Sequence, residues 1–236
     1  MHIFINVARG QNYDSFSASL QTSGLKPHKM EKQEIKESDK GRSERLLKVA
    51  LWNDKAVFQL MNSIEKIGCE IPHDSFFRLR PCEGAISGGF NIEQDDNKSK
   101  STSKHIPNIV ICDNKSLEAE TFTNTLIHEL VHAYDVCRVK SFNVDNCKYH
   151  ACTEIRASAL SGECSLLHEF WRGNFKVQNG HSDCVKRRAT LSLGMNPACK
   201  VCSHITAYIQ YIAYHYSLLY VSYLIDILCN RVMPPL

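Results

Sequence analysis

His128, Glu129 and His132 stand in the run His-Glu-Leu-Val-His, and these residue types at this spacing can hold and use a metal ion. On an α-helix of about 3.6 residues per turn, two histidines four apart lie one above the other on one face, within reach of a single cation. Glu129 is turned about 100° from His128, where its carboxylate can hold a water at the metal rather than the metal itself. The chemistry that follows is zinc-assisted hydrolysis. A pentapeptide of this kind arises by accident in roughly a few per cent of chains of this composition, so its surroundings matter. Residues 121–135 contain no Pro or Gly, place uncharged residues on both sides of the motif, and set Leu126, Leu130 and Tyr134 at helical spacing. The pattern predicts a buried helix, in which two unpartnered histidines would be costly. The plainer reading is a core helix whose histidines simply find hydrogen-bond partners.

A catalytic zinc site takes three protein ligands and leaves a fourth position to water, so a third ligand must come from elsewhere. Asp135 lies seven residues after His128 on the same face, but its short side chain suits it better to accept an imidazole N–H. Residues 149–164 are predicted to form a second helix, with Ile155, Ala159 and Leu166 helping to form its apolar side. Within it Glu154 is the expected third ligand, with His150 and Glu163 as alternatives; a Glu on a second helix is the arrangement of His2-Glu zinc enzymes. The competing reading of Glu154 is an exposed charge paired with Arg156 or another neighbour. The expected site is one zinc ion per chain on His128, His132 and Glu154, with Glu129 as the catalytic residue.

The elements that must position these residues divide the chain into three parts. Residues 1–42 are rich in Lys, Glu, Ser and Gln and are expected to be a disordered tail. Residues 43–200 are expected to form the catalytic domain. There, 43–67 has one helical apolar period (Leu46, Val49, Val57, Leu60, Ile64) stopped by Gly68. Short strands are expected at 76–80, 86–92 and 108–112, with the polar run 93–104 between the last two. Strands followed by a metal-bearing helix imply an α+β fold, a zincin-like domain in which a small twisted sheet packs on the His-Glu-x-x-His helix and a second ligand-bearing helix. A free sheet edge beside the metal would let an extended substrate add itself as a strand; the sequence leaves open whether 86–92 or 108–112 supplies it. Residues 201–236 are expected to form a hydrophobic, Tyr-rich helix. Residues 205–228 are long enough to cross a bilayer, yet Gln210, His215, Asp226 and six tyrosines favour an interfacial or core-packed helix.

Chain-wide quantities bound this reading. With 236 residues and a net charge of +3, the chain is large enough for one cored domain and too weakly basic to argue for a nucleic-acid partner. Lys186-Arg-Arg188 reads as a solvated patch. Eleven scattered cysteines are better explained by disulfides than by metal knuckles, and the odd count leaves at least one thiol over. Cys199-x-x-Cys202 is a weak signal for a metal or redox site. The apolar start, Met1 to Val7, lacks the basic residues and length of a secretory signal.

The run His-Glu-Leu-Val-His-Ala-Tyr-Asp135, followed by Glu154-Ile-Arg-Ala and Ser161-Gly-Glu-Cys164, resembles the family of mitochondrial inner-membrane metalloproteases and assembly factors for ATP synthase subunit 6, in animals also named Ku70-binding proteins. The likeness extends through Ser87-Gly-Gly-Phe90, residues 109–114 and residues 184–189, so it covers roughly 45–200. It implies zinc on His128 and His132, catalysis by Glu129, and a protein substrate, the subunit 6 precursor. It also implies a place in the intermembrane space, peripheral to the inner membrane, where cysteines can oxidise. The family's usual C-terminal Asn-Asp-x-x-Pro-Phe-like stretch is absent from this sequence.

The expected reaction is peptide-bond hydrolysis in which Glu129 takes a proton from water and passes one to the leaving amine. Tyr134, Tyr149, His150 and His168 are candidate oxyanion donors. The alternative function is a non-proteolytic chaperone or assembly factor using the same groove. A nuclear role through Ku70 has only the family's second name behind it.

Overall fold

The computed structural model describes residues 38–199 except 70, 72–74, 85, 95–104, 116, 140–142, 144–145 and 178. The expected tail, up to residue 37, and the expected Tyr-rich helix at 201–236 lie outside the described residues.

Helix α1 (Asp39–Asn53) begins four residues ahead of the expected boundary at 43, because Ser38 takes an extended conformation and its hydroxyl accepts the Gly41 N–H at 3.1 Å. The single helix expected over 43–67 is two. Asp54 interrupts it in extended backbone, its carboxylate accepting the N–H groups of Ala56 at 2.9 Å and Val57 at 3.0 Å, and so starts α2 (Lys55–Lys66). Satisfying two orphan amides outweighs continuing the apolar period through residue 54. Gly68, at φ 79°, follows the end of α2, as its conformational freedom predicts.

Three strands follow: β1 (Phe77–Arg80), β2 (Gly88–Gln94) and β3 (His105–Cys112). β3 is central, parallel to β1 and antiparallel to β2, so β2 and β1 are the edges. β2 runs two residues into the polar run 93–104 and β3 begins at His105, three residues ahead of the expected start, since pairing continues to Gln94 opposite His105. Helix α3 (Ala119–Arg138) lies against β2, β3 and α2. It closes a core of Val57, Ile64, Phe76, Ile109, Ile111, Phe122, Leu126 and Leu130. Gly88 permits the close approach of β2 to α3: a Cβ there would stand 2.8 Å from Thr125 Cγ2 and 3.0 Å from the Val110 carbonyl oxygen.

On its other side α3 meets α4 (Cys147–Leu160), which packs on α6 (Gly180–Met195) around Ala151, Ile155, Val185, Ala189 and Leu193. The helix expected over 149–164 ends at Leu160, because Gly162 at φ 84° turns the chain. Glu163 therefore sits in a turn. Leu166, expected on the apolar side of that helix, instead opens α5 (Leu166–Trp171) and is exposed.

Disulfides join Cys69 to Cys137, Cys82 to Cys112, Cys147 to Cys199 and Cys164 to Cys184, and Cys152 is disulfide-bonded as well. Cys199 is thus committed to Cys147, which removes it from a Cys199-x-x-Cys202 metal or redox site. Among the described residues the architecture is α+β, six helices around a three-stranded sheet.

Candidate metal centre

Helix α3 is buried on both sides, so the turn carrying His128, Glu129 and His132 is pressed between the sheet and α4. The two imidazoles meet edge to face, 4.8 Å between ring centres. Glu154, buried on α4, reaches between them: His128 Nε2 is 3.5 Å from Glu154 Oε2, and His132 Nε2 is 3.5 Å from Glu154 Oε1. One ligand atom from each of the three residues lies within 4.8 Å of the others. Tetrahedral zinc with bonds of about 2.0–2.1 Å separates its ligand atoms by about 3.4 Å, so this cluster is nearly of the size a zinc ion demands. Glu154 Oε2 is buried and accepts no hydrogen bond among the described residues. A buried carboxylate oxygen without a donor is costly, and a cation is the partner that its position between two imidazoles suits. The donor set therefore fits a metal.

The far nitrogens of the rings are held. His128 Nδ1 is 3.2 Å from Glu163 Oε1, and His132 Nδ1 is 2.9 Å from Thr153 Oγ1. With Nδ1–H donating to these oxygens, Nε2 of each ring is turned toward Glu154, the atom each would offer to a cation there. Glu163 and Thr153 thus do what was expected of Asp135. Asp135 is fully buried and serves another purpose: Arg138 Nε donates to it at 2.8 Å, and Arg156 Nε, from α4, lies 3.0 and 3.1 Å from its two oxygens. It ties α3 to α4. That pairing also draws Arg156 away from the role proposed for it beside Glu154, which is buried rather than exposed.

His150 supports Glu154 from behind. Asn196 donates to His150 Nδ1 at 3.1 Å, so His150 carries its proton on Nε2 and donates to Glu154 Oε1 at 3.2 Å. His168 Nε2 is 3.0 Å from Glu120, while Tyr134 and Tyr149 pack against the two cores. Arg188, expected in a solvated patch, is instead tied to a carboxylate. Its Nη2 donates to Glu163 Oε2 at 2.7 Å, and its neighbour Arg187 donates to the buried Glu169 at 2.7 Å. Nothing in the sequence pairs these arginines with carboxylates 18 and 25 residues earlier.

Burial pushes Glu129 up to about 7; the positive charge of His128 and the Phe90 backbone N–H oppose this, and Glu154 and Glu163 add to it. His132 is held down at about 4 by burial, which keeps its imidazole neutral and able to give a lone pair. Burial also works against protonating His128, but the carboxylates of Glu154 and Glu163 beside the ring win and raise it well above the usual histidine range. Glu154 stays well below the usual carboxylate range despite its burial, through His132, His128 and His150. Negative charge gathered around two imidazoles in a dry setting is an environment suited to a dication.

The Phe90 N–H reaches Glu129 because of register. Cys112 donates to the Ser87 carbonyl at 2.9 Å, so Gly88, Phe90 and Ile92 turn their backbone groups away from β3, out of the sheet edge and toward α3.

Residues 41–213 match the model of the Peptidase M76 family. The chain is 42% identical over 123 residues to the mitochondrial inner membrane protease ATP23 of Mycosarcoma maydis, covering 51% of this chain and 53% of that protein. It is 37% identical over 149 residues to the human mitochondrial inner membrane protease ATP23 homolog, covering 63% and 55%. The corresponding protease of Coccidioides immitis is 38% identical over 148 residues, with 62% and 56% covered. The chain spans about half the length of the curated relatives it matches. No solved structure matches it. Among the described residues, no helix is long and apolar enough to cross a membrane. A family model covering both helices of the cluster and the sheet beside them settles the assignment: the chain belongs to the peptidase M76 family.

Proposed function

We propose that this protein is a zinc-dependent endopeptidase with His128, His132 and Glu154 as zinc ligands and Glu129 as general base. The observation that carries the reading is the buried His128–His132–Glu154 cluster, with its unsatisfied Glu154 oxygen and the carboxylate of Glu129 on the next residue of the same turn. Bound zinc supplies a Lewis acid for the substrate carbonyl and brings the pKa of water to about 7. Glu129 takes the proton from the attacking water and delivers one to the leaving nitrogen, a task that favours a carboxyl pKa raised toward neutrality. The Phe90 N–H fixes the carboxylate on the side of β2. An extended substrate then adds antiparallel or parallel to the outward backbone groups of Gly88 and Ile92, which holds a peptide bond over the cluster without demanding a sequence.

The substrate we assign is the precursor of mitochondrial ATP synthase subunit 6, with the protein acting from the intermembrane space as a peripheral protein of the inner membrane. This rests on the motifs shared with the subunit 6 proteases and on the name of the relatives as mitochondrial inner membrane proteases. The disulfides agree with an oxidising compartment. Glu129→Gln is expected to keep zinc and lower cleavage of the precursor at least about 100-fold. His128→Ala is expected to lose zinc by elemental analysis. Wild-type cleavage by the Gln variant overturns the role of Glu129, and zinc retained at one per chain by the Ala variant overturns the ligand set.

A further inference from the structure

Helix α6 contributes no atom to the His128–His132–Glu154 cluster, yet two side chains of this region act on it, each through one intermediary. Arg188 Nη2 is 2.7 Å from Glu163 Oε2, and the other oxygen of that carboxylate is 3.2 Å from His128 Nδ1. Asn196, the residue that caps α6, donates at 3.1 Å to His150 Nδ1, whose opposite nitrogen donates at 3.2 Å to Glu154 Oε1. Each chain of contacts ends on a different member of the cluster. Glu163 could not orient His128 alone: it sits in the turn after Gly162, and Arg188 together with Arg172, which donates to the Glu163 carbonyl oxygen at 2.7 Å, holds that turn. Likewise, the Asn196 amide decides the tautomer of His150, and only the Nε2–H tautomer donates to Glu154.

We propose that Arg188 and Asn196 are positioning residues that set how tightly the site holds its metal, Arg188 through Glu163 onto His128 and Asn196 through His150 onto Glu154. The inference rests on the metal-site reading above. Orienting a ligand before the metal arrives removes the cost of ordering it, and loss of such a partner weakens metal binding by about 10–100-fold.

The test is zinc affinity of the full-length, disulfide-bonded protein, measured by chelator competition, with the melting temperature of the metal-free form as the control for folding. Arg188→Met keeps the aliphatic stem and removes the guanidinium; Asn196→Leu keeps the volume and removes the amide. Each is expected to raise the zinc dissociation constant about 10–100-fold, whereas Lys186→Met, on the same helix but outside both chains of contact, leaves it unchanged. Arg188→Lys, which can still reach one carboxylate oxygen, is expected to recover part of the loss and covers the case in which Arg188→Met does not fold. The decisive readout is coupling. Arg188→Met combined with Glu163→Gln is expected to cost little more than Glu163→Gln alone, because both break one path; a purely structural Arg188 would give additive losses. Unchanged affinity in Arg188→Met and Asn196→Leu, or additivity in the double variant, overturns the proposal while the ligand set stands. A wild-type protein that takes up no zinc overturns both.

Discussion

The base proposed at Glu129 is useful only if its proton comes and goes near neutral pH, and burial gives this carboxyl that property. Its carboxyl stands at about 7 against an ordinary 4.5. The sign follows directly. A base works ionised, so cleavage is expected to rise with pH through the range where Glu129 loses its proton, and a bound dication moves that limb below about 7. In the metal-free protein the same raised value favours the folded state below about 4.5, an advantage lost as pH climbs through about 7. Melting curves of metal-free wild type and Glu129→Gln should therefore diverge between pH 5 and 8 on the order of that window, the variant gaining relative stability as pH rises. A constant difference across the range would show that burial does not control this carboxyl. His132 and His128 differ for the same kind of reason: each ring is buried, but only His128 has a carboxylate beside each of its two ring nitrogens.

Elements, not single residues, bring α3, α4 and α6 to the cluster, and their boundaries are set by short-range contacts that can be cut one at a time. Asp54 separates α1 from α2 with one carboxylate; Asp54→Ala is expected to cost about 1 kcal/mol in denaturant unfolding. Gly88 lets β2 lie on α3, and Gly88→Ala puts a methyl 3.0 Å from a backbone oxygen that cannot rotate away. A loss of about 1–3 kcal/mol is expected, together with lower activity, since β2 also carries the Phe90 amide. Retained stability and rate would mean that β2 shifts freely. Between α5 and α6 the buried Glu169 accepts from Arg172 at 2.8 Å and Arg187 at 2.7 Å. Burial alone would raise its pKa, but hydrogen bonds from Arg187, Arg172 and Asn174 bring it down to about 2. Stability from this group is complete above about 4.5 and disappears as pH falls through about 2. The gap between wild type and Glu169→Gln should thus be about 1–3 kcal/mol at pH 6 and shrink progressively below pH 4.5.

Over the whole molecule, four described disulfides close loops of 20 to 68 residues, and two of them fasten α6 or its end to the neighbourhood of α4. Cys164–Cys184 lies beside Glu163, and Cys147–Cys199 lies within one turn of His150 and Asn196. Removing Cys147–Cys199 by paired Ser substitution is expected to lower stability by about 2–4 kcal/mol, read as a fall in melting temperature. An unchanged melting temperature would show that the packing of α4 on α6 suffices without the bond.

The sequence by itself determined the geometry of α3: a helix without Gly or Pro fixes His128, Glu129 and His132 relative to one another by local geometry alone. It also singled out Glu154, because a second helix of the right character carried a carboxylate, and it placed the three strands to within a few residues. Local periodicity could not reveal the break at Asp54, where one carboxylate overrides an unbroken apolar pattern, or α6, whose inward residues Val185, Ala189 and Leu193 are interleaved with Lys and Arg. Nor could it decide which strand is the edge, since that depends on β3 pairing with both neighbours. Partners distant in sequence were hidden for a related reason: Asp135 could be reached by a histidine or an arginine, and only the packing of α3 on α4 selected Arg156. Spacing along a helix specifies what lies within a turn or two, whereas contacts between elements depend on how whole faces meet, and it is there that Glu163, Thr153, Arg188 and Asn196 acquire their places around the site.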